Sequence, residues 1–134
     1  MKLVYGACVH PDPEQPGYFA VTVPDLPGCV SGGASLAEAI EMAVDAASGW
    51  VLTELEDGNE VPEASPISDI KPDEPDGFVT ALILDMDTYT EKFGKKAVRK
   101  NVTIPAWMNT FAEKNHVNFS SVLQKALEQQ LHIK

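Results

Sequence analysis

The spacing of apolar and polar positions changes along the chain, and each change marks an element. Lys2 to Val9 is a β-rich run, and His10 to Gly17, with three prolines and a glycine, cannot continue it. Tyr18, Ala20 and Thr22 then alternate against Phe19, Val21 and Val23, so Tyr18 to Val23 predicts a second strand and a hairpin with the first. The stretch PDLPGCVSGG, Pro24 to Gly33, forces tight turns around a short third strand at Cys29 to Ser31. Ser35 followed by Glu38 three residues on is a capping box. Leu36, Ile40, Ala43, Val44, Ala47, Val51 and Leu55 set the expected buried stripe of a helix running to Glu56, with Glu38, Glu41 and Asp45 toward solvent. Gly49 inside that helix costs about 1 kcal/mol against Ala unless a close contact needs it. Residues 57–77 contain Pro62, Pro66, Pro72 and Pro75 and read as an extended surface connection. Phe78 to Leu84, FVTALIL, is a near-continuous apolar run, the pattern of a strand covered on both faces, and Asp85 to Lys96 reads as a linker.

After Ala97 the period-2 pattern returns. Val98, Lys100, Val102 and Ile104 fall on one face and Arg99, Asn101 and Thr103 on the other. Pro105 ends this strand and suits the first turn of a helix, in which Trp107, Met108, Phe111 and Ala112 form one apolar stripe. That helix should stop near Asn115 to Val117. Asn118 is a good N-cap for a second helix, whose apolar positions are Phe119, Leu123, Ala126, Leu127 and Leu131. A lone strand before two helices must pair its backbone groups somewhere, and the simplest partner is the same strand of a second chain. The expected product is an antiparallel ribbon over four helices. Val98, Val102 and Ile104 would turn inward to share a core with Trp107, Phe111, Leu123 and Leu127, while Arg99, Asn101 and Thr103 face outward. Lys100 departs from the pattern, and its stem would have to lie along the core edge. A two-stranded ribbon fits the DNA major groove, where Arg and Asn can make bidentate contacts to guanine and adenine.

Charge divides the chain in the same place. Residues 1–94 carry 3 Lys against 18 Asp plus Glu, net -15, and residues 95–134 carry 7 Lys plus Arg against 2 Glu, net +5. The basic end suits a polyanion, and the acidic end suits a cationic partner. No run of 18 apolar residues exists and the N-terminus does not read as a signal peptide, so a cytoplasmic protein without membrane association is expected. Cys8 and Cys29 are isolated and read as buried, reduced thiols.

Candidate chemistry is sparse. Asp85 and Asp87 leave a strand end on one side and Asp25 lies at another, too few carboxylates to identify a two-metal centre. His10, His116 and His132 form no ligand pattern, and Ser31, Ser35 and Ser48 show no nucleophile motif. Neither a metal, a cofactor nor a catalytic residue is expected.

The NVTIP strand end and the NFSS helix start resemble the ribbon-helix-helix family of DNA-binding dimers. The resemblance implies that Arg99, Asn101 and Thr103 read bases. Backbone amides around Asn118, Phe119 and Ser120 would clamp a phosphate, with Lys95 and Lys96 adding phosphate contacts. PDLPGCVSGG followed by the capped helix SLAEAIEMAVDAASGWVLTELEDG resembles the N-terminal domain of HicB-type antitoxins, a family that often ends in a ribbon-helix-helix module. That resemblance implies an α+β fold: a small antiparallel sheet with one long helix on one face, truncated ribonuclease-H-like, followed by the dimeric module. The implied division is an acidic toxin-binding domain over 1–87, a linker over 88–96 and the DNA-binding module over 97–134. It further implies a non-enzymatic antitoxin that masks a small HicA-type mRNA-cleaving toxin and represses its own operon at a palindromic operator. Glu14 and Asp25, on loops at strand ends, are the candidate toxin contacts. Two alternatives stay open: a ribbon-helix-helix regulator whose N-terminal domain senses a ligand or oligomerises, and a metal-dependent ribonuclease-H-like nuclease.

Overall fold

The first and last strands of the N-terminal unit lie side by side. The computed structural model describes residues 1–131, so His132 lies outside the described residues, and the chain separates into a unit spanning Lys2–Lys95 and a second that starts at Lys96. The first unit runs β1 (Lys2–Pro11), β2 (Phe19–Thr22), β3 (Val30–Gly33), α1 (Leu36–Glu56), a 3-10 turn (Ile67–Asp69), β4 (Phe78–Asp85) and α2 (Met86–Phe93). Its sheet has the order β3-β2-β1-β4, antiparallel throughout. Lys2 pairs with Asp85 and Val9 with Phe78 on one side of β1, and Cys8 pairs with Thr22 on the other.

Strand alternation sends Tyr5, Ala7, Val9, Val21, Leu82 and Leu84 into a core completed by α1 through Ala39, Ala43, Ala47 and Val51. The expected stripe holds at its centre, where Ala43, Ala47 and Val51 are buried, and shifts at its ends. Leu36 and Leu55 are exposed, Ile40 and Val44 are half-buried, and the unforeseen Ala39 and Ser48 are buried. The reason is a close approach of backbone to backbone: a Cβ on Gly33 of β3 would lie 2.5 Å from the Ala39 nitrogen. Only short side chains fit in so narrow a gap. Gly33→Ala should cost about 1–3 kcal/mol, measured by denaturant unfolding, because the strand would have to move off the helix.

The capping box forms with a one-residue variation. The Glu38 N–H donates to Ser35 Oγ at 3.1 Å, and Glu38 Oε2 accepts from the Ala34 N–H at 3.1 Å, one residue before the cap. Gly49 is accounted for by α2, since the Tyr89 hydroxyl lies 3.0 Å from where a Cβ would stand.

The connection 57–77 does more than run over the surface. Ile67 and Ile70 pack over Gly6, and the Cys8 thiol donates to the Lys71 carbonyl at 3.3 Å. The Tyr5 hydroxyl donates to the Pro62 carbonyl at 2.5 Å, and Ser65 gives both its N–H (2.8 Å) and its hydroxyl (2.7 Å) to the Asp25 carboxylate. This strap covers the sheet face opposite α1, which is why β1 is buried at every residue from Tyr5 to Val9. The thiols of Cys8 and Cys29 are pushed up in pKa chiefly by burial.

Two expectations for the end of this unit are corrected. β4 is not covered on both faces: Leu82 is 1% exposed but its neighbour Ile83 is 60% exposed, because β4 is the sheet edge and the strap packs over the middle of β1. Asp85–Lys96 is also not a plain linker, since Met86–Phe93 is helical. Asp85 is its N-cap, accepting the Thr88 N–H (3.3 Å) and Oγ–H (3.1 Å), which lowers its pKa. Met86 is buried, and Tyr89 packs on the core.

The second unit contains α3 (Ala106–Lys114) and α4 (Phe119–Leu131). The strand expected over Val98–Ile104 is not formed in the single chain, where residues 94–105 hold no regular element. Among the described residues the segment has no neighbouring strand against which to pair. α3 closes in a Schellman arrangement, with Val117 N–H to Ala112 O at 3.0 Å and His116 N–H to Glu113 O at 3.1 Å. His116 takes a left-handed φ of 54°. His116→Gly should raise the stability of this turn by about 1 kcal/mol, read as increased helicity or a higher midpoint for this unit.

Candidate nucleic-acid and partner interfaces

The second unit has an apolar face that none of its own described residues covers. Neither α3 nor α4 has a buried residue. Val98 (78%), Val102 (66%) and Phe111 (61%) are well exposed, as are Ile104, Trp107, Leu123 and Leu127. Trp107 and Phe111 sit edge to face with centroids 6.3 Å apart. So many large apolar side chains on two short helices exceed the scatter of single hydrophobes found on monomer surfaces. The face fits a second apolar surface.

At the head of α4, Asn118 Oδ1 accepts the Ser121 N–H at 3.0 Å. The cap leaves the Phe119 and Ser120 amides in the first turn, where no intrahelical acceptor exists and the helix dipole favours an anion. Arg99, Asn101 and Thr103 are exposed within 94–105, and the single chain does not bring them into a paired row. Lys95 belongs to the other unit, where its Nζ donates to the Glu91 carbonyl at 2.7 Å near the end of α2. Lys96 is exposed.

The two acids singled out in the N-terminal unit differ in situation. Glu14 is exposed on the loop between β1 and β2, where its N–H donates to Asp12 Oδ1 at 2.9 Å. Asp25 is half-buried and holds the strap through Ser65, an attachment the sequence did not reveal because the two lie 40 residues apart. Asp85 is engaged as a helix cap. Among the described residues no group of three or more His, Cys, Asp and Glu is placed to hold a metal ion, and no helix is long and apolar enough to cross a membrane.

The geometry defines a class: an acidic α+β unit with a four-stranded sheet and one long helix, followed by a basic two-helix unit with an uncovered apolar face. The family model described as "HicB_like antitoxin of bacterial toxin-antitoxin system" matches residues 5–127, across both units, and the chain belongs to that family. An uncharacterized 14.9 kDa protein from the rep-hol intergenic region of Haemophilus phage HP1 is 36% identical, with 90% of this chain and 94% of that one covered. Among solved structures, the Burkholderia pseudomallei antitoxin HicB has 26% identity and a TM-score of 0.56, covering 97% of each chain. A chain of a toxin-antitoxin complex from Streptococcus pneumoniae shares the fold at 22% identity, with a TM-score of 0.60 over 97% of this chain and 99% of that one.

Proposed function

We propose that the N-terminal unit neutralises a small, basic, HicA-type RNA-cleaving toxin by covering its active surface. The C-terminal unit pairs with a second copy as a ribbon-helix-helix dimer and represses the chain's own operon. The observation that carries this reading is a single antitoxin-family match spanning both units. The opposed charges support it: a net -15 half competes with RNA phosphates for a cationic protein, and a net +5 half suits DNA. Masking needs no chemistry from the antitoxin, so no residue here is assigned a catalytic role.

In the dimer the 98–104 segments pair as a ribbon, Arg99, Asn101 and Thr103 face base edges, and the Phe119 and Ser120 amides hold a phosphate. Purifying an N-terminally tagged chain from its native host and weighing what accompanies it by intact mass spectrometry tests the antitoxin half. A stoichiometric small basic protein, toxic when expressed alone, is expected. Recovery of homo-oligomer and DNA alone, even at low salt, would instead favour a regulator whose N-terminal unit senses a ligand.

Arg99→Ala or Asn101→Ala should lose about 1–3 kcal/mol of discrimination between operator variants. Lys96→Ala should weaken all sequences alike and flatten the salt dependence. An Arg99→Ala chain that discriminates operators as the parent does would remove the groove assignment.

A further inference from the structure

The N-terminal unit has an open groove of about 300 Å³ between α1, the β4 edge and α2. Val44, Tyr89 and Phe93 give it apolar walls, Ile83 borders it at the β4 edge with its side chain toward the opposite sheet face, and Glu41, Asp45 and Asp85 stand along it. Ser48, the one buried polar residue among those described, also lines it. Its acids are not equivalent. Asp85 is occupied with capping α2, whereas Glu41 and Asp45 have no ion-pair partner among the described residues. Glu41 and Asp45 lie four residues apart on α1, a like-charge spacing that destabilises a helix, and α1 carries no Lys or Arg to relieve it. One cation, Lys92, also lines the groove, with its ammonium held over the Phe93 ring 5.2 Å from the centroid.

An apolar trough bordered by two unpaired carboxylates matches one kind of side chain well. The methylenes of an arginine or lysine would lie along Val44 and Phe93 while its charged head meets Glu41 and Asp45. A protein that binds RNA must present such cations to phosphates. We propose that this groove is the anchor for the toxin and receives an Arg or Lys of its RNA-binding surface. The inference rests on the antitoxin reading and gives masking a location: the groove takes the cations that RNA would otherwise hold.

The test uses the full chain and the basic protein recovered with it, with affinity and association rate measured at two salt concentrations. Glu41→Gln with Asp45→Asn, which keeps shape and removes charge, should weaken binding about tenfold or more, slow association and reduce its salt dependence. Glu41→Lys with Asp45→Lys should weaken it further. Circular dichroism melts and operator binding should match the parent, and the neutral pair serves alone if the reversed pair unfolds. If the parent binds the toxin and the neutral pair binds it within twofold, the groove assignment fails while the antitoxin reading stands. If the parent binds no basic protein, both fall. A change in oligomeric state with toxin affinity intact would make the occupant a basic segment of this chain or of a second copy, which also overturns the proposal.

Discussion

A chain carrying Phe111→Asp should sediment as a monomer at concentrations where the parent is a dimer. Phe111 is 61% exposed in the single chain, beside Trp107, on a unit whose helices bury nothing of their own. In the proposed dimer it enters the shared core, so the substitution places one carboxylate from each copy there without a partner. The expected penalty is about 3 kcal/mol or more, over a hundredfold in the dimer dissociation constant. Operator affinity should collapse with it, because the ribbon needs a strand from each copy. Unfolding of the N-terminal unit should not change. Sedimentation of parent and variant over a concentration series decides the matter, and equal dimerisation by both would show that this face has another use.

Leu82→Ala and Ile83→Ala form the second test, because adjacent residues on β4 should give opposite outcomes. Leu82 is 1% exposed and packs in the core beneath α1, so its truncation should cost about 2–5 kcal/mol in denaturant unfolding. Ile83 is 60% exposed, and its truncation should cost under about 1 kcal/mol. Similar losses at both sites would mean that the second face of β4 is covered after all.

Local chemistry was the legible part of this sequence. Ser35 and Glu38 announced the start of α1, the alternation of Tyr18 to Val23 announced β2, and Asn118 announced the head of α4, all through contacts within a few residues. What depends on a distant neighbour was not readable. The stripe of α1 was legible at Ala43, Ala47 and Val51 and failed at Leu36 and Leu55, because leucine outranks alanine as an apolar marker, whereas the close approach at Gly33 admits only Ala39. The prolines of 57–77 suggested an idle connection, and nothing local to Ser65 or Ile70 tells of Asp25 and Gly6. Asp85 drew notice as a strand-end carboxylate, while the structure gives it the humbler role of capping α2 with Thr88. The 98–104 strand illustrates the reverse case. Its alternation is plain in the sequence, but a strand requires a neighbour that one chain does not supply.

The pairing of β1 with β4 has a consequence for how the protein is made. The first strand of this unit to leave the ribosome is completed by the last, with Lys2 opposite Asp85. Until β4 emerges, β1 has an unsatisfied edge and the core lacks Leu82 and Leu84. Synthesis must therefore pass residue 85, and proceed far enough beyond it to clear the exit tunnel, before the acidic unit can close. A nascent chain arrested earlier would hold β1 without its edge partner and leave the core beneath α1 open.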